Sequence, residues 1–274
     1  MDPARQLRIL RQHLQTDRLL GVDVVPIREA ADTAGQAMFA AAPDPQRSPR
    51  PLPAAAANPP ATPTAAGPRS APAPSIEVPT DPALKLPVLQ ELDQTQVQGC
   101  TRCELHRGRT QTVFGEGNPD AELLVVGEGP GSEEDRSGRP FVGRAGELLN
   151  KQIQAMGLSR EQIYIANVVK CRPPNNRTPT PQEADTCGHY LRQQIEIIQP
   201  KVILTVGGPA VKLLTGKTEG ITRLRGQWLA YDQVDPPIPL MPTFHPAYLL
   251  RAYTKENRAK VWSDLQQVIE RLKS

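Results

Sequence analysis

Cysteine is the residue type with the widest chemical reach in this sequence, and it occurs four times. Cys100 and Cys103 form a C-x2-C pair, with Cys171 and Cys187 following at long intervals, in the pattern C-x2-C-x67-C-x15-C. Four thiolates can ligate zinc or an iron–sulfur cluster. Structural zinc usually draws its thiols from two C-x2-4-C knuckles, and the second pair here is too spread to make one. Long, uneven spacing suits a larger cluster bridged by several chain segments. Spacing alone leaves three readings open: an iron–sulfur cluster, a zinc ion, or unligated thiols, with Cys171 and Cys187 as small buried apolar residues.

The stretch ELLVVGEGPGSEEDRSGRPFVG holds a second candidate, an apolar run that stops in three closely spaced glycines, Gly127, Gly129 and Gly131. A phosphate cradle fits poorly. The dinucleotide pattern G-x-G-x-x-G is not met, Gly-Lys-Ser/Thr is absent, and Glu133, Glu134 and Asp135 would repel a pyrophosphate. Glycine also lets the main chain approach a ligand closely, so a tight turn and a pocket wall are compatible. Three single residues join this loop as candidates. Asn167 interrupts the apolar run YIANVVK, where an unpaired buried amide costs roughly 1–3 kcal/mol. His245 precedes Pro246 after another apolar run, and Phe141 sits in GRPFVG.

Positioning such residues requires a scaffold, and the chain from residue 84 onward supplies one. Short apolar runs at 123–127, 163–169, 202–206 and 240–243 read as strands. Segments 88–98, 145–156, 181–199, 209–214 and 255–272 read as helices. Strand–helix–strand order predicts an α/β protein, a three-layer α/β/α arrangement with a short, mostly parallel central sheet. Ligands on such sheets sit at the carboxyl ends of the strands. GEGPG, NVVKC and FHPAYLLR each lie at or near the end of a predicted strand.

The rest of the chain differs in kind. Of its 30 prolines, 14 fall between residues 42 and 90. Residues 41–83 read as a Pro/Ala-rich disordered linker that buries too little apolar surface to offset ordering entropy. Residues 1–40 read as an N-terminal helical segment, with leucines at amphipathic spacing over 3–20. That helix could dock on a partner protein. The formal net charge is +3, which does not by itself indicate nucleic acid. No apolar run approaches the roughly 20 residues needed to cross a bilayer, and the N-terminus lacks an apolar signal core. A cytoplasmic location and no membrane partner are expected, a compartment in which disulfides are rare.

The cysteines and the glycine loop taken together resemble the family 4 uracil-DNA glycosylases, which bear a [4Fe-4S] cluster. The resemblance covers roughly residues 85–274 and runs through CTRCELHRGRTQTVFGEGNPDAELLVVGEGPG, EDRSGRPFVGRAGELLN, YIANVVKCRPPNNRTPTPQEADTC and TFHPAYLLR. A related family carries a basic insert with a DNA-trapping histidine, and that insert is absent between Pro174 and Pro181. The resemblance implies a monomeric glycosylase domain at 84–274 that releases uracil from single- or double-stranded DNA and so initiates base excision repair. It implies a [4Fe-4S] cluster on Cys100, Cys103, Cys171 and Cys187. It also implies a base slot lined by Glu128, Gly129, Phe141, Asn167 and His245. There Phe141 stacks on the flipped base, Asn167 reads its edge, and His245 stabilises the departing anion at O2. Glu128 positions water or the sugar. Some relatives have an aspartate where this chain aligns Gly129, which offers only its backbone N–H. Glu134 is a candidate barrier to the thymine methyl. Tyr248, Leu249, Leu250 and Arg251 form a wedge for the gap left by the flipped nucleotide. Arg136, Arg139, Arg144, Lys170, Arg172 and Arg177 are candidates for phosphate contacts. The N-terminal helix is a candidate tether to a replication or repair protein. A rival reading is a non-catalytic, polymerase-associated DNA-binding module. A second rival is a zinc hydrolase acting on another substrate.

Overall fold

A computed structural model of the chain describes Pro79 and residues 81–274. The predicted N-terminal helix lies outside the described residues, as does the predicted linker up to residue 78. The linker's predicted end at 83 is too late, because helix α1, Pro82–Leu92, starts inside it. Asp81 caps that helix, its carboxylate accepting from the Ala83 N–H at 2.9 Å. Pro87 lies within α1, which begins six residues before the helix expected at 88–98. A π-helical turn, Asp93–Val97, then leads to the first cysteine pair.

Six strands make one sheet: β1 Glu116–Gly117, β2 Leu123–Gly127, β3 Tyr164–Asn167, β4 Val202–Val206, β5 Leu229–Tyr231 and β6 Ile238–Thr243. Their order is β1-β3-β2-β4-β6-β5. The inner four are parallel, and β1 and β5 pair antiparallel at the two edges. Between the strands run α2 Ser132–Ser137, α3 Arg144–Ala155, α4 Pro181–Ile198, α5 Gly208–Thr215 and α6 Ile221–Leu224, and after β6 come α7 Pro246–Arg251 and α8 Lys255–Leu272.

Side-chain alternation along the strands explains the layers. On one face Leu124, Val126, Ala166, Ile203 and Leu240 pack with α1, α4 and α5 through Leu92, Leu191, Ile195 and Leu214. On the other face Leu123, Val125, Ile165, Leu204 and Met241 pack with α3, α7 and α8 through Leu149, Ile153, Leu249, Val261 and Leu265. The architecture is α/β/α with a mostly parallel sheet. The two edge strands escape the sequence reading because they are only two and three residues long. Pro239 hides the first two residues of β6, which was expected to start at 240.

The register brings the strand ends together. Gly127 pairs with Asn167 across β2 and β3. Val206 pairs with Thr243 across β4 and β6, two residues before His245. The chain leaves β2 for β3 on one side and returns past it to β4 on the other, so a crevice opens at these carboxyl ends.

Candidate active site

A cleft of ≈ 720 Å³ occupies that crevice, and Glu128, Gly129, Phe141, Asn167 and His245 all line it. Its floor is made by close contact. A Cβ built on Gly127 would lie 2.4 Å from both the Asn167 Oδ1 and the Phe141 ring. Only a glycine at the end of β2 lets the amide and the ring meet there. Gly129 is similarly constrained, since a Cβ would stand 2.7 Å from the Val169 side chain.

Asn167 is 2% exposed, and its Oδ1 is buried without a hydrogen-bond partner. A buried carbonyl left so is costly, and such groups call for an explanation. The backbone beside it is well held. The Asn167 carbonyl accepts from Lys170 Nζ at 3.0 Å, and the same amine donates to Gln194 Oε1 at 2.6 Å. Lys170 is fully buried, and burial pulls its ammonium down to about 8. It is therefore a strut inside the protein rather than a phosphate ligand.

His245 forms the N-cap of α7. Its Nδ1 accepts from the Ala247 N–H at 3.1 Å. That bond fixes the neutral tautomer, with the proton on Nε2. Burial first, then the positive charge of Arg251, push its pKa down to about 4, and Glu134 opposes weakly. The imidazole ring lies 5.7 Å from the Phe141 ring, tilted by 31°.

Phe141 adopts φ 51°, a left-handed backbone that bulky residues rarely take. Its carbonyl lies against α3, where a Cβ on Gly146 would come within 1.9 Å of the oxygen. Arg160 Nη1 donates to the same carbonyl at 3.2 Å. Glu128 is half-buried; burial raises its pKa, and a hydrogen bond with Thr178 partly offsets the rise.

Glu134 turns out to hold the loop together. Its Oε1 accepts from the N–H groups of Val142 and Gly143, each at 2.9 Å, and its Oε2 accepts from Gly131 at 3.1 Å. One carboxylate thus joins the glycine loop to the Phe141 segment. Sequence reasoning assigned it only bulk.

Among the wedge candidates, Leu249 is buried in the core, whereas Leu250 is exposed. Tyr248 packs against Phe244 with ring centroids 4.9 Å apart and the planes tilted by 46°, and Arg251 lines the cleft. Of the candidate phosphate ligands, Arg144 lines the cleft. Arg139 pairs with Glu116 at 2.8 Å, Arg177 with Glu183 at 2.7 Å, and Arg136 with Glu133. Arg172 donates to Asn176 Oδ1 at 2.7 Å. The Arg177 ion pair first, then backbone bonds at Thr180, hold Glu183 down at about 2.

Sequence reasoning missed Gly146, Arg160 and Glu116. Gly146, a glycine within the first turn of a helix, carried a usable signal. Arg160 carried none, since it sits in an ordinary polar segment.

The cysteines border a second, much smaller cavity with Arg109, Lys170 and Tyr190. All four are free thiols, Cys171 and Cys187 buried, Cys100 and Cys103 partly so. Arg109 Nη1 donates to Cys171 Sγ at 3.1 Å, and the Lys170 N–H donates to Cys187 Sγ at 3.2 Å. Burial raises the thiols of Cys103 and Cys171 and takes Cys187 up to about 12. Among the described residues, no group of three or more His, Cys, Asp or Glu side chains could hold a metal ion. The expected [4Fe-4S] cluster on Cys100, Cys103, Cys171 and Cys187, and the metal-binding reading with it, is therefore corrected. Burial works against the thiolates, while Arg109 beside Cys171 and Lys170 beside Cys187 work for them. No described helix is long and apolar enough to cross a membrane.

Comparison with known proteins bears on the cleft. The family model of the uracil DNA glycosylase superfamily matches residues 114–266. A type-4 uracil-DNA glycosylase of Thermotoga maritima is 51% identical over 183 residues, 65% of this chain and 92% of that protein. One of Sulfurisphaera tokodaii is 43% identical over 180 residues, 64% of this chain and 81% of its own length. One of Archaeoglobus fulgidus is 40% identical over 179 residues, 64% of this chain and 89% of its own length.

Proposed function

The chain belongs to the uracil DNA glycosylase superfamily, among its type-4 members, and from that membership we propose that it releases uracil from DNA. The reaction is hydrolysis of the bond between sugar C1′ and base N1 of a flipped-out deoxyuridine. It leaves an abasic site and begins base excision repair. The target bond is hidden in a duplex, so the nucleotide is rotated out of the stack into the cleft.

The observation that carries this reading is the unpartnered Asn167 Oδ1 in a cleft that an aromatic ring and a neutral imidazole also line. Uracil presents an N3–H donor beside the O4 acceptor. A primary amide answers both, its oxygen accepting from N3–H and its NH2 donating to O4. Cytosine has the opposite polarity at those atoms, so the amide in this orientation would meet it donor to donor and acceptor to acceptor. Phe141 gives the base a face to stack on, worth about 1–3 kcal/mol.

As the glycosidic bond breaks, the sugar becomes cation-like and negative charge grows on the uracil. His245 meets that charge at O2 with its Nε2–H. Its preorganised tautomer supports this role, because no proton needs to move to the ring. Glu128 sits where it can orient water or the sugar, and Gly129 contributes a backbone N–H. Glu134 keeps the slot narrow near the position a thymine methyl would take. Tyr248, Leu250 and Arg251 at α7 suit the gap in the stack.

The test compares wild type with His245→Ala and Asn167→Ala on single- and double-stranded oligonucleotides containing uracil or, as control, thymine. Wild type should release uracil alone. His245→Ala should be slower by about 10²–10³-fold, the cost of one such donor. Asn167→Ala should lose more on uracil than on any residual cytosine release. Equal, negligible release by wild type and His245→Ala would favour a non-catalytic DNA-binding module.

A further inference from the structure

We infer that Arg160 is a positioning residue that holds the Phe141 ring over the base slot, and that Glu116 aims it. The inference rests on the glycosylase reading above for the meaning of the slot, and on geometry for the brace itself.

Phe141 stands at φ 51°, a conformation that persists only when its surroundings over-determine it. Three contacts do so here. The missing side chain of Gly146 leaves room for the Phe141 carbonyl against α3. Glu134 holds the N–H groups of Val142 and Gly143. Arg160 takes the two carbonyls on the other side, with Nη2 donating to Pro140 O and Nη1 to Phe141 O at 3.2 Å.

The same guanidinium donates from Nη1 to Asn150 Oδ1 at 3.0 Å and from Nε to Glu116 Oε1 at 2.6 Å. Its side chain is only 15% exposed. Glu116 also accepts from Arg139 Nε at 2.8 Å, and it belongs to the edge strand β1. Burial works against its charge, but Arg139 and Arg160 hold the carboxylate below its usual range. The brace therefore runs from the sheet edge through one planar fork to the backbone of the stacking residue. A lysine offers one point charge and cannot serve two carbonyls, an amide and a carboxylate together.

A double-mutant cycle tests this. Arg160→Gln should lower kcat/KM on uracil-containing DNA by about tenfold, part of the stacking contribution. In a Phe141→Ala background the same change should cost less than about twofold, because the ring it positions is gone. Arg160→Lys, which keeps the charge facing Glu116, should fall between wild type and Arg160→Gln and guards against a variant that fails to fold. Equal losses in both backgrounds would reduce Arg160 to general stability and overturn the inference. A crystal structure of Arg160→Lys supplies a readout that needs no activity. Phe141 leaving positive φ supports the brace, and an unmoved Phe141 overturns it. If wild type releases no uracil, the glycosylase reading falls while this structural readout still decides on Arg160.

Discussion

At the scale of single residues, one hydrogen bond does much of the electrostatic preparation. Because His245 Nδ1 accepts the Ala247 amide proton, the ring offers Nε2–H to the cleft in its neutral form. Burial moves its titration from 6.5 down to about 4. Uracil release should therefore lose its His245 contribution only as pH falls through about 4, and a kcat/KM profile should hold level across 6.5. An acid limb centred near 6.5 would contradict this assignment. The same shift has a stability consequence with a definite sign. The unfolded chain binds the His245 proton near 6.5 and the folded chain only near 4, so His245 makes stability fall as pH drops across that window. Thermal unfolding of wild type and His245→Ala at both ends of the window reads the difference. Asn167 was visible in the sequence for the same physical reason that makes it useful: a primary amide in an apolar strand needs a partner. The tautomer of His245 was not visible, because it depends on an amide two residues along in a cap.

At the scale of elements, the glycine in the first turn of α3 governs the aromatic that precedes the helix. A Cβ at 146 would press into the Phe141 carbonyl at 1.9 Å. Gly146→Ala should cost about 1–3 kcal/mol as an overpacking change. In a domain of this size that lowers Tm by about 2–4 °C per kcal/mol. The loss of uracil release should exceed what the lost stability explains, since the shift reaches the stacking ring. Unchanged Tm and activity would refute it. The parallel strands were legible because fully buried strands read as continuous apolar runs, and LLVVG and VILTV are buried at every position. Edge strands of two or three residues carry no such run. Helix α2, SEEDRS, is too polar and too short to show a periodic face. The cysteine spacing and the family likeness both pointed toward a cluster, but among the described residues no group of side chains able to hold a metal ion is found.

For the whole molecule, net charge gives little guidance, since Arg136, Arg139 and Arg177 are already paired with carboxylates. The residual positive character at its mouth comes from Arg144 and Arg251. DNA binding should weaken with salt, and Arg251→Ala should lessen the slope of log K against log salt by about 1. Titrations of a uracil-containing oligonucleotide at several ionic strengths would measure it; an unchanged slope would remove Arg251 from the phosphate contacts. The cleft's make-up was legible as separate motifs, while their meeting depended on strand order, which no local stretch encodes. That order has a consequence for biosynthesis. The slot draws on residues from 128 to 245, and its last member follows β6, the strand that docks beside β4 and carries β5 at the sheet edge. A polypeptide still emerging from the ribosome, or cut short by a premature stop before residue 245, lacks the imidazole altogether. A chain that ends short of that point therefore carries an incomplete slot.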